Sequence, residues 1–559
     1  VSVFSPEVLR HAESNAPALL TGAVDYPGLL VQGLPQIDFY DSRRHLGALT
    51  GATLAEHVRI RAGALAARGL VRGDRIVMVA TNTEEYLSTL LAALLLGAVP
   101  CAVAPPPAPS REESAGVQHL RAAIRVVAPA MVLTPARSAV PNTAVVPYEE
   151  LQDAPQLPIP DRPAPKPADP HHIQLTSGST SAPKAVVLTH GNVAHNIATV
   201  SHAMATVRDT GRLFSWLPMY HDMGFIQVLG ALIYGGRIGL MTPLGFLRDP
   251  LSWIRNMTHH RSSVTAGPTF AYRAAADSLA RSGGAQTGFD LSALRHAYIG
   301  AEPIAQSTLR SFTESFAPFG LRPDVLVPSY GMAESVLATT IALNPAPEGP
   351  GNFGRVRTVQ ADGTGAPLVS CGPPIDGMRV RIVDPCGDEV GGDAVGEIQI
   401  SGPSVMAGYL APDGTVIGSP GGWHDTGDRG LICGGELYVV GRSKEMLIVR
   451  GRNLPPYDVE RSIGALAHVG PGQAVVFSAP DDGRGRESLV AVVATGSADA
   501  DQRRQIRAGV GARVREDFGF SLDDVVLVPK TAIPRTTSGK IQRLTVRDHY
   551  LAGQLPSPN

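Results

Sequence analysis

The chain is short of the features that would place it outside ordinary globular enzymes. Its four cysteines, Cys101, Cys371, Cys386 and Cys433, form no CxxC pair and no metal-ligand spacing. A disulfide framework and a structural zinc site are thereby excluded, and a reduced, cytoplasmic setting is the expectation. Net charge is only -2, with charged residues at 18% and no basic or acidic block, so neither a nucleic-acid partner nor an acidic membrane surface is indicated. Residues 1–20 lack the basic start and apolar core of a signal peptide. The most apolar run, Leu90 to Val99 with a weak continuation to Ala104, is too short for a bilayer and is interrupted by Pro100, so no transmembrane segment is expected. No internal repeat is visible.

What is present is length and alternation. The 559 residues, 44% hydrophobic, suffice for several cores, since single cores stop growing near ~250–300 residues. Amphipathic Thr53–Leu70 predicts a helix, Arg75–Ala80 a buried strand, Glu84–Leu96 a second helix closed by Gly97, and Val99–Ala104 a second strand. That alternation implies parallel α/β layers. Seven prolines across residues 155–170 predict an extended connector. A further α/β stretch is expected from His172 to Ile341, followed by a Gly/Pro-rich segment, Asn344–Gly372. Met378–Val383, Gly396–Ser401 and Glu436–Val440 predict a small antiparallel unit. Beyond Ser443 the pattern predicts a compact α+β unit, with strands at Met446–Val449, Ala474–Phe477, Leu489–Ala494 and Val525–Val528 and helices at Asp458–Leu466 and Ala500–Phe518.

Seven local motifs stand in one order. Gln174–Lys184, QLTSGSTSAPK, puts glycine and hydroxyls between an apolar entry and the strand Ala185–Leu188. Small residues let backbone amides approach phosphate oxygens, and Lys184 adds a charge. It is not a Walker loop, which needs lysine directly after glycine. Trp216–Gly224 (WLPMYHDMG) places His221 beside aromatics. Gly300-Ala301-Glu302-Pro303 and Ser329–Glu334 (SYGMAE) each follow a predicted strand. Asp425–Asp428 (DTGD), Gly441–Lys444 (GRSK) and Pro534–Lys540 (PRTTSGK) complete the series. Taken singly, His221 reads equally as a core histidine and Lys540 as a surface lysine.

Together, from Thr53 to Arg543, the motifs resemble the adenylate-forming superfamily, and Pro328–Glu334, Arg450–Asn453 and Pro456–Glu460 resemble most its stand-alone fatty acyl-AMP ligases. Ala185 and Ser181 stand where that family commonly has glycine. The resemblance implies an α/β fold: a large N-terminal domain, residues 1–441, of two α/β sheets and a small β-barrel, and a small α+β C-terminal lid, residues 442–559. It implies ATP and Mg²⁺ as cofactors. Thr176, Ser177, Gly178, Ser179, Thr180 and Lys184 would hold the β- and γ-phosphates. Gly300, Ala301 and Glu302, with Ser329, Tyr330, Gly331 and Met332, would line the adenine and ribose region. Asp428, supported by Arg442, would take the ribose hydroxyls, and Glu334 with Thr176 the metal. Lys540 would be the catalytic lysine between two anions, with His221 also in the catalytic set, and Lys444 the hinge.

Met223, Phe225, Val228 and Phe270 are expected to line an acyl pocket, although core packing explains them equally. The implied reaction is activation of a carboxylic, fatty, acid to acyl-AMP with pyrophosphate release, then acyl transfer to the phosphopantetheine thiol of a separate holo acyl carrier protein; no carrier motif follows Lys540. A CoA ligase shares every ATP residue, so CoA stays open as acceptor. A non-catalytic adenylate-like binding domain is the alternative of another class.

Overall fold

A computed structural model describes every residue except 1–3, 107–114, 136–143, 157–164, 177–182, 284–287, 348–351, 361–366, 419–421, 450–451, 482–485, 497–498, 536–540 and 559. The alternation of helix and apolar strand resolves into two eight-stranded sheets. In the first, the order across the sheet is Val416–Ile417, Gly408–Leu410, Lys184–Thr189, Pro170–Thr176, Val99–Val103, Arg75–Val79, Met131–Thr134 and Val146–Pro147. The last five run parallel; the first three are joined antiparallel. The second sheet runs Thr340–Ile341, Leu326–Tyr330, His296–Gly300, Val264–Pro268, Arg212–Ser215, Arg237–Met241, Ile37–Tyr40 and His45–Leu49. Its six inner strands are parallel and each edge strand is antiparallel.

One apolar core spans both sheets, holding Ile76 and Val186 from the first and Ile238 and Leu240 from the second. Helices Glu84–Leu95 and His190–Ala203 are buried on nearly every face, as helices wedged between two layers must be. The second of these starts in a capping box between Thr189 and Asn192, which explains why the chain turns from strand to helix there without a loop.

The expected small antiparallel unit is a four-stranded sheet, Arg379–Val383, Gly396–Ser401, His424–Cys433 and Glu436–Arg442. A ribbon of Thr358–Val359 and Leu368–Val369 adjoins it through a bridge between Ser370 and Tyr438. After Arg442 a hairpin, Leu447–Val449 with Arg452–Leu454, precedes a three-stranded sheet of Ala474–Asp481, Arg486–Thr495 and Asp524–Pro529. Side chains of its strands alternate between two cores. Val476, Ala491 and Val493 meet helices Pro456–Gly464 and Ala500–Phe518; Val475, Phe477 and Val492 meet helix Arg543–Leu551. That last helix is an addition to the elements the sequence predicts, and it is needed because a sheet apolar on both faces requires cover on both.

Candidate functional site

Parallel α/β sheets offer their crevices at the carboxyl ends of the strands, where loops of neighbouring strands diverge. Strands His296–Gly300 and Leu326–Tyr330 are parallel neighbours, with Ile299 opposite Pro328, so the motifs Gly300–Glu302 and Ser329–Met332 emerge side by side. Gly300 permits this closeness: a Cβ there would lie 2.6 Å from the Ser329 carbonyl oxygen. Ala301 holds φ at +63°, a left-handed conformation costly for a residue with a side chain and concentrated at functional sites. A Cβ on Gly331 would overlap the Leu337 carbonyl. Glu302 accepts a hydrogen bond from the Phe270 amide at 3.2 Å, tying the crevice to the start of helix Thr269–Arg281.

Two polar groups meet at this edge. In the first, the Tyr330 hydroxyl donates to Asp428 at 2.8 Å, and Arg442 Nε lies 2.9 Å from the other carboxylate oxygen. Asp428 and Arg442 face each other across adjacent antiparallel strands, which fixes the pair by register. Asp428 is buried, whereas the Arg442 side chain is 57% exposed, leaving its guanidinium open to a ligand. Burial, and then the charge of Asp428, raise the Tyr330 phenol well above its ordinary pKa, so it remains a proton donor.

In the second, Tyr409 donates to Glu334 Oε1 at 2.8 Å, and the Lys184 ammonium stands 4.9 Å from the centre of the Tyr409 ring. Thr176 lies directly opposite Lys184 in the antiparallel pair. The turn Ala333–Ser335 packs on both of their strands. His424 sits 6.4 Å from the Tyr409 ring; burial lowers its pKa, against the pull of Glu334 and Asp425. Neither Tyr409 nor His424 is among the residues the sequence singles out. Tyr409 is 75 positions from its partner Glu334 and stands in no motif, so no spacing marks it.

Glu334 and Thr176 offer oxygen donors only. Among the described residues no group of three or more His, Cys, Asp and Glu side chains could hold a metal. Such a sparse oxygen set fits a hard cation held mainly through phosphate and water, as Mg²⁺ is, rather than a protein cage. His221 precedes helix Asp222–Ile233, its ring 4.8 Å from that of Tyr220. Gln174 Nε2 donates to the Tyr220 carbonyl at 2.7 Å and so fastens this loop to the strand leading to Thr176. Lys444 lies exposed in the turn Ser443–Glu445. Ser177, Gly178, Ser179, Thr180 and Lys540 lie outside the described residues.

Behind the polar edge lies a cavity enclosing about 1170 Å³, its open mouth included, with a largely apolar wall. Ala301, Ser329, Tyr330 and Gly331 border it at the carboxyl ends of the strands; Gly211, Gly236 and Val264 border it at the opposite, amino ends. It therefore runs the depth of the sheet. Helix Asp222–Ile233 forms one wall through Met223, Ile226, Gln227, Gly230 and Ala231, the three- and four-residue spacing of one helical face. Met223 borders the cavity as expected. Phe225 and Val228 do not: they point from the other face into the buried core, and Phe225 meets the His172 ring edge-on at 4.9 Å. Phe270 packs against Trp216 and Phe246 and is likewise outside the cavity lining. These three expectations are corrected by helix phase and by aromatic packing.

Comparison with known proteins agrees with this geometry. Residues 36–410 match the AMP-binding enzyme family, and residues 444–558 match the AMP domain of Disco-interacting protein 2-like proteins. A long-chain-fatty-acid–AMP ligase, FadD26 of Mycobacterium marinum, is 31% identical, covering 86% of this chain and 88% of its own. A solved fatty acyl-adenylate ligase, from work on the E. coli and L. pneumophila enzymes, superposes with a TM-score of 0.82 at 27% identity, covering 97% of this chain and 98% of its own. The L. pneumophila enzyme in complex with acyl adenylate and pyrophosphate gives 0.67 at 26% identity, covering 96% and 97%. The chain belongs to the AMP-binding enzymes of the adenylate-forming superfamily and resembles the superfamily's fatty acyl-AMP ligases along nearly its whole length.

Proposed function

We propose that this chain joins a fatty acid carboxylate to the α-phosphate of ATP, releasing pyrophosphate, and passes the acyl group to the phosphopantetheine thiol of a separate carrier protein in the cytoplasm. The observation that carries this reading is the continuity of the polar edge with the deep apolar cavity: Ala301, Ser329, Tyr330 and Gly331 belong to both. A nucleotide on one side of those residues and an alkyl chain on the other would meet there.

In this reading residues 1–441 form the adenylation body and 442–559 the lid. Asp428, oriented by Tyr330 and Arg442, takes the ribose hydroxyls. Thr176, the glycine-hydroxyl segment Ser177–Thr180 and Lys184 hold phosphate oxygens. Gly300, Ala301, Glu302 and Met332 shape the adenine side, and His221 stands where the carboxylate enters. Glu334, with Thr176, would hold Mg²⁺, which neutralises phosphate charge when bound. Lys540 supplies the cation between carboxylate and α-phosphate, two anions that otherwise repel. Lys444 takes up the backbone rotation that carries the lid between adenylation and transfer.

The test is a pyrophosphate-release screen of the purified chain with ATP across fatty, aryl and amino acids, with mass detection of the adenylate. Fatty acids should give acyl-AMP, and holo carrier protein should then accept the acyl group in preference to CoA. A chain that adenylates only aryl or amino acids would overturn the substrate; efficient CoA thioester formation would overturn the acceptor.

A further inference from the structure

The apolar cavity has one wall residue whose hydrogen-bonding capacity is only half used. Gln227 lies one turn beyond Met223 on helix Asp222–Ile233 and borders the cavity. Its Nε2 donates to Ser215 Oγ at 2.7 Å, while its Oε1 is shielded from solvent and has no hydrogen-bond partner. Ser215 is fully buried and also accepts from the Leu217 amide at 3.2 Å. Turning the amide over would let Ser215 donate to the glutamine oxygen, and would leave the NH₂ group without a partner instead. In either orientation one amide atom is unsatisfied.

The neighbouring polar groups of the wall differ. The Asn196 amide donates to the carbonyls of Ser335 and Ala338 and accepts from the Ala338 amide. The Tyr298 hydroxyl donates to the Met204 sulfur. A wall meant only for methylenes is served better by leucine or methionine at position 227, because a buried polar atom without a partner is destabilising.

We infer that Gln227 reads a hydroxyl on the acyl chain, so that the favoured substrates are fatty acids hydroxylated along the chain. A hydroxyl both donates and accepts, and so satisfies whichever amide atom is free. The helix rises ~1.5 Å per residue, which sets Gln227 about 6 Å deeper than Met223, so the reading point lies within the chain and away from the carboxylate. This inference rests on the fatty-acid reading above.

The experiment measures kcat/KM for pyrophosphate release by the full chain. The substrates are saturated fatty acids and equal-length acids bearing one hydroxyl at successive positions. In the wild type one hydroxyl position should exceed the plain acid by about 10-fold or more, the scale of one hydrogen bond to an otherwise unpaired buried group. Gln227→Leu should bring that ratio to one or below, and Gln227→Met, closer in length, provides the same comparison should the leucine variant misfold. No advantage for a hydroxyl at any position in the wild type, or an advantage that survives in either folded variant, overturns the inference. If no aliphatic acid of either kind gives an adenylate while aryl or amino acids do, it is the fatty-acid reading that has failed.

Discussion

The polar edge of the cleft and the cavity behind it share the ends of two strands, yet they are assembled in opposite ways. The edge gathers single side chains from distant segments, Lys184, Glu334, Tyr409, Asp428 and Arg442, each held by a specific partner. The cavity is shaped largely by one face of one helix and by what that face lacks: Gly230 and Ala231 leave the space that larger side chains would fill. Chemistry at the edge depends on residue identity, whereas selectivity in the cavity depends on volume. Substitutions should therefore act on rate at one end and on substrate choice at the other.

The largest effect expected is at the edge. Lys540→Ala should lower adenylate formation by ~10²–10³-fold, the usual consequence of losing one transition-state charge stabiliser, with ATP binding retained. Pyrophosphate release and nucleotide titration measure the two separately, and unchanged release would remove Lys540 from the chemistry. Next comes Asp428→Asn, which weakens the pair with Arg442 and the acceptor of Tyr330. KM for ATP should rise about 30-fold, the low end for breaking a buried charge pair, because Arg442 is more than half exposed. A matching change in fatty-acid chain-length preference would blur the division between the two ends.

In the cavity, Gly230→Leu should cut kcat/KM for the longest accepted acids by about 10-fold relative to short ones, the scale of methylene discrimination in apolar pockets. Gly230→Ala offers an internal control. A Cβ there would meet nothing nearer than Ile197 at 3.7 Å, so the protein should gain ~0.5–1 kcal/mol in denaturant unfolding, as alanine replaces glycine within a helix. A glycine kept for packing would show the reverse.

The smallest effect concerns acid. Behind the cavity helix, Phe225 leans on His172, whose Nδ1 lies 2.8 Å from that of His171; Tyr26, His190 and the pair Arg72–Asp169 adjoin. Burial pushes His172 down to about 3 and His190 to about 4. Unfolded histidine titrates near 6.5, so between roughly pH 6.5 and 4 the unfolded chain binds protons that the folded one excludes. Stability must then fall as pH falls, by up to about 1.4 kcal/mol per pH unit for each such histidine. Denaturant midpoints from pH 7 to 5 should show this slope, reduced in His172→Asn; a slope unaltered in that variant would detach the cluster from acid sensitivity.

The same division governs how much was legible beforehand. Strand Gly396–Ser401 and helix Ala500–Phe518 appear within their expected bounds because each carries a strong local period, and the helix has its own stops, an Asp499 cap and Gly519 at φ +72°. The residues of the polar edge could be picked out by type, since charge and glycine are rare and positionally marked. The cavity could not. Phe225, Val228 and Phe270 looked suited to an alkyl chain, but apolar residues fill a core and a tunnel alike, and only helix phase tells the two apart. Glycine and alanine, which do line it, carry no signal. Helix Arg543–Leu551 escaped notice for a related reason: its polar sequence is held by Arg543, hydrogen-bonded to both Glu460 oxygens, as well as by its apolar contacts.

The strand that carries Tyr409 has a consequence for how the protein comes to be made. Gly408–Leu410 pairs antiparallel with Lys184–Thr189, some two hundred positions earlier in the chain. During synthesis the earlier strand must wait, with one row of amides and carbonyls exposed, until the ribosome has delivered the later one. Exposed strand edges recruit other chains, so a premature stop or a slow stretch of translation ahead of residue 408 should yield aggregates rather than a partly active enzyme.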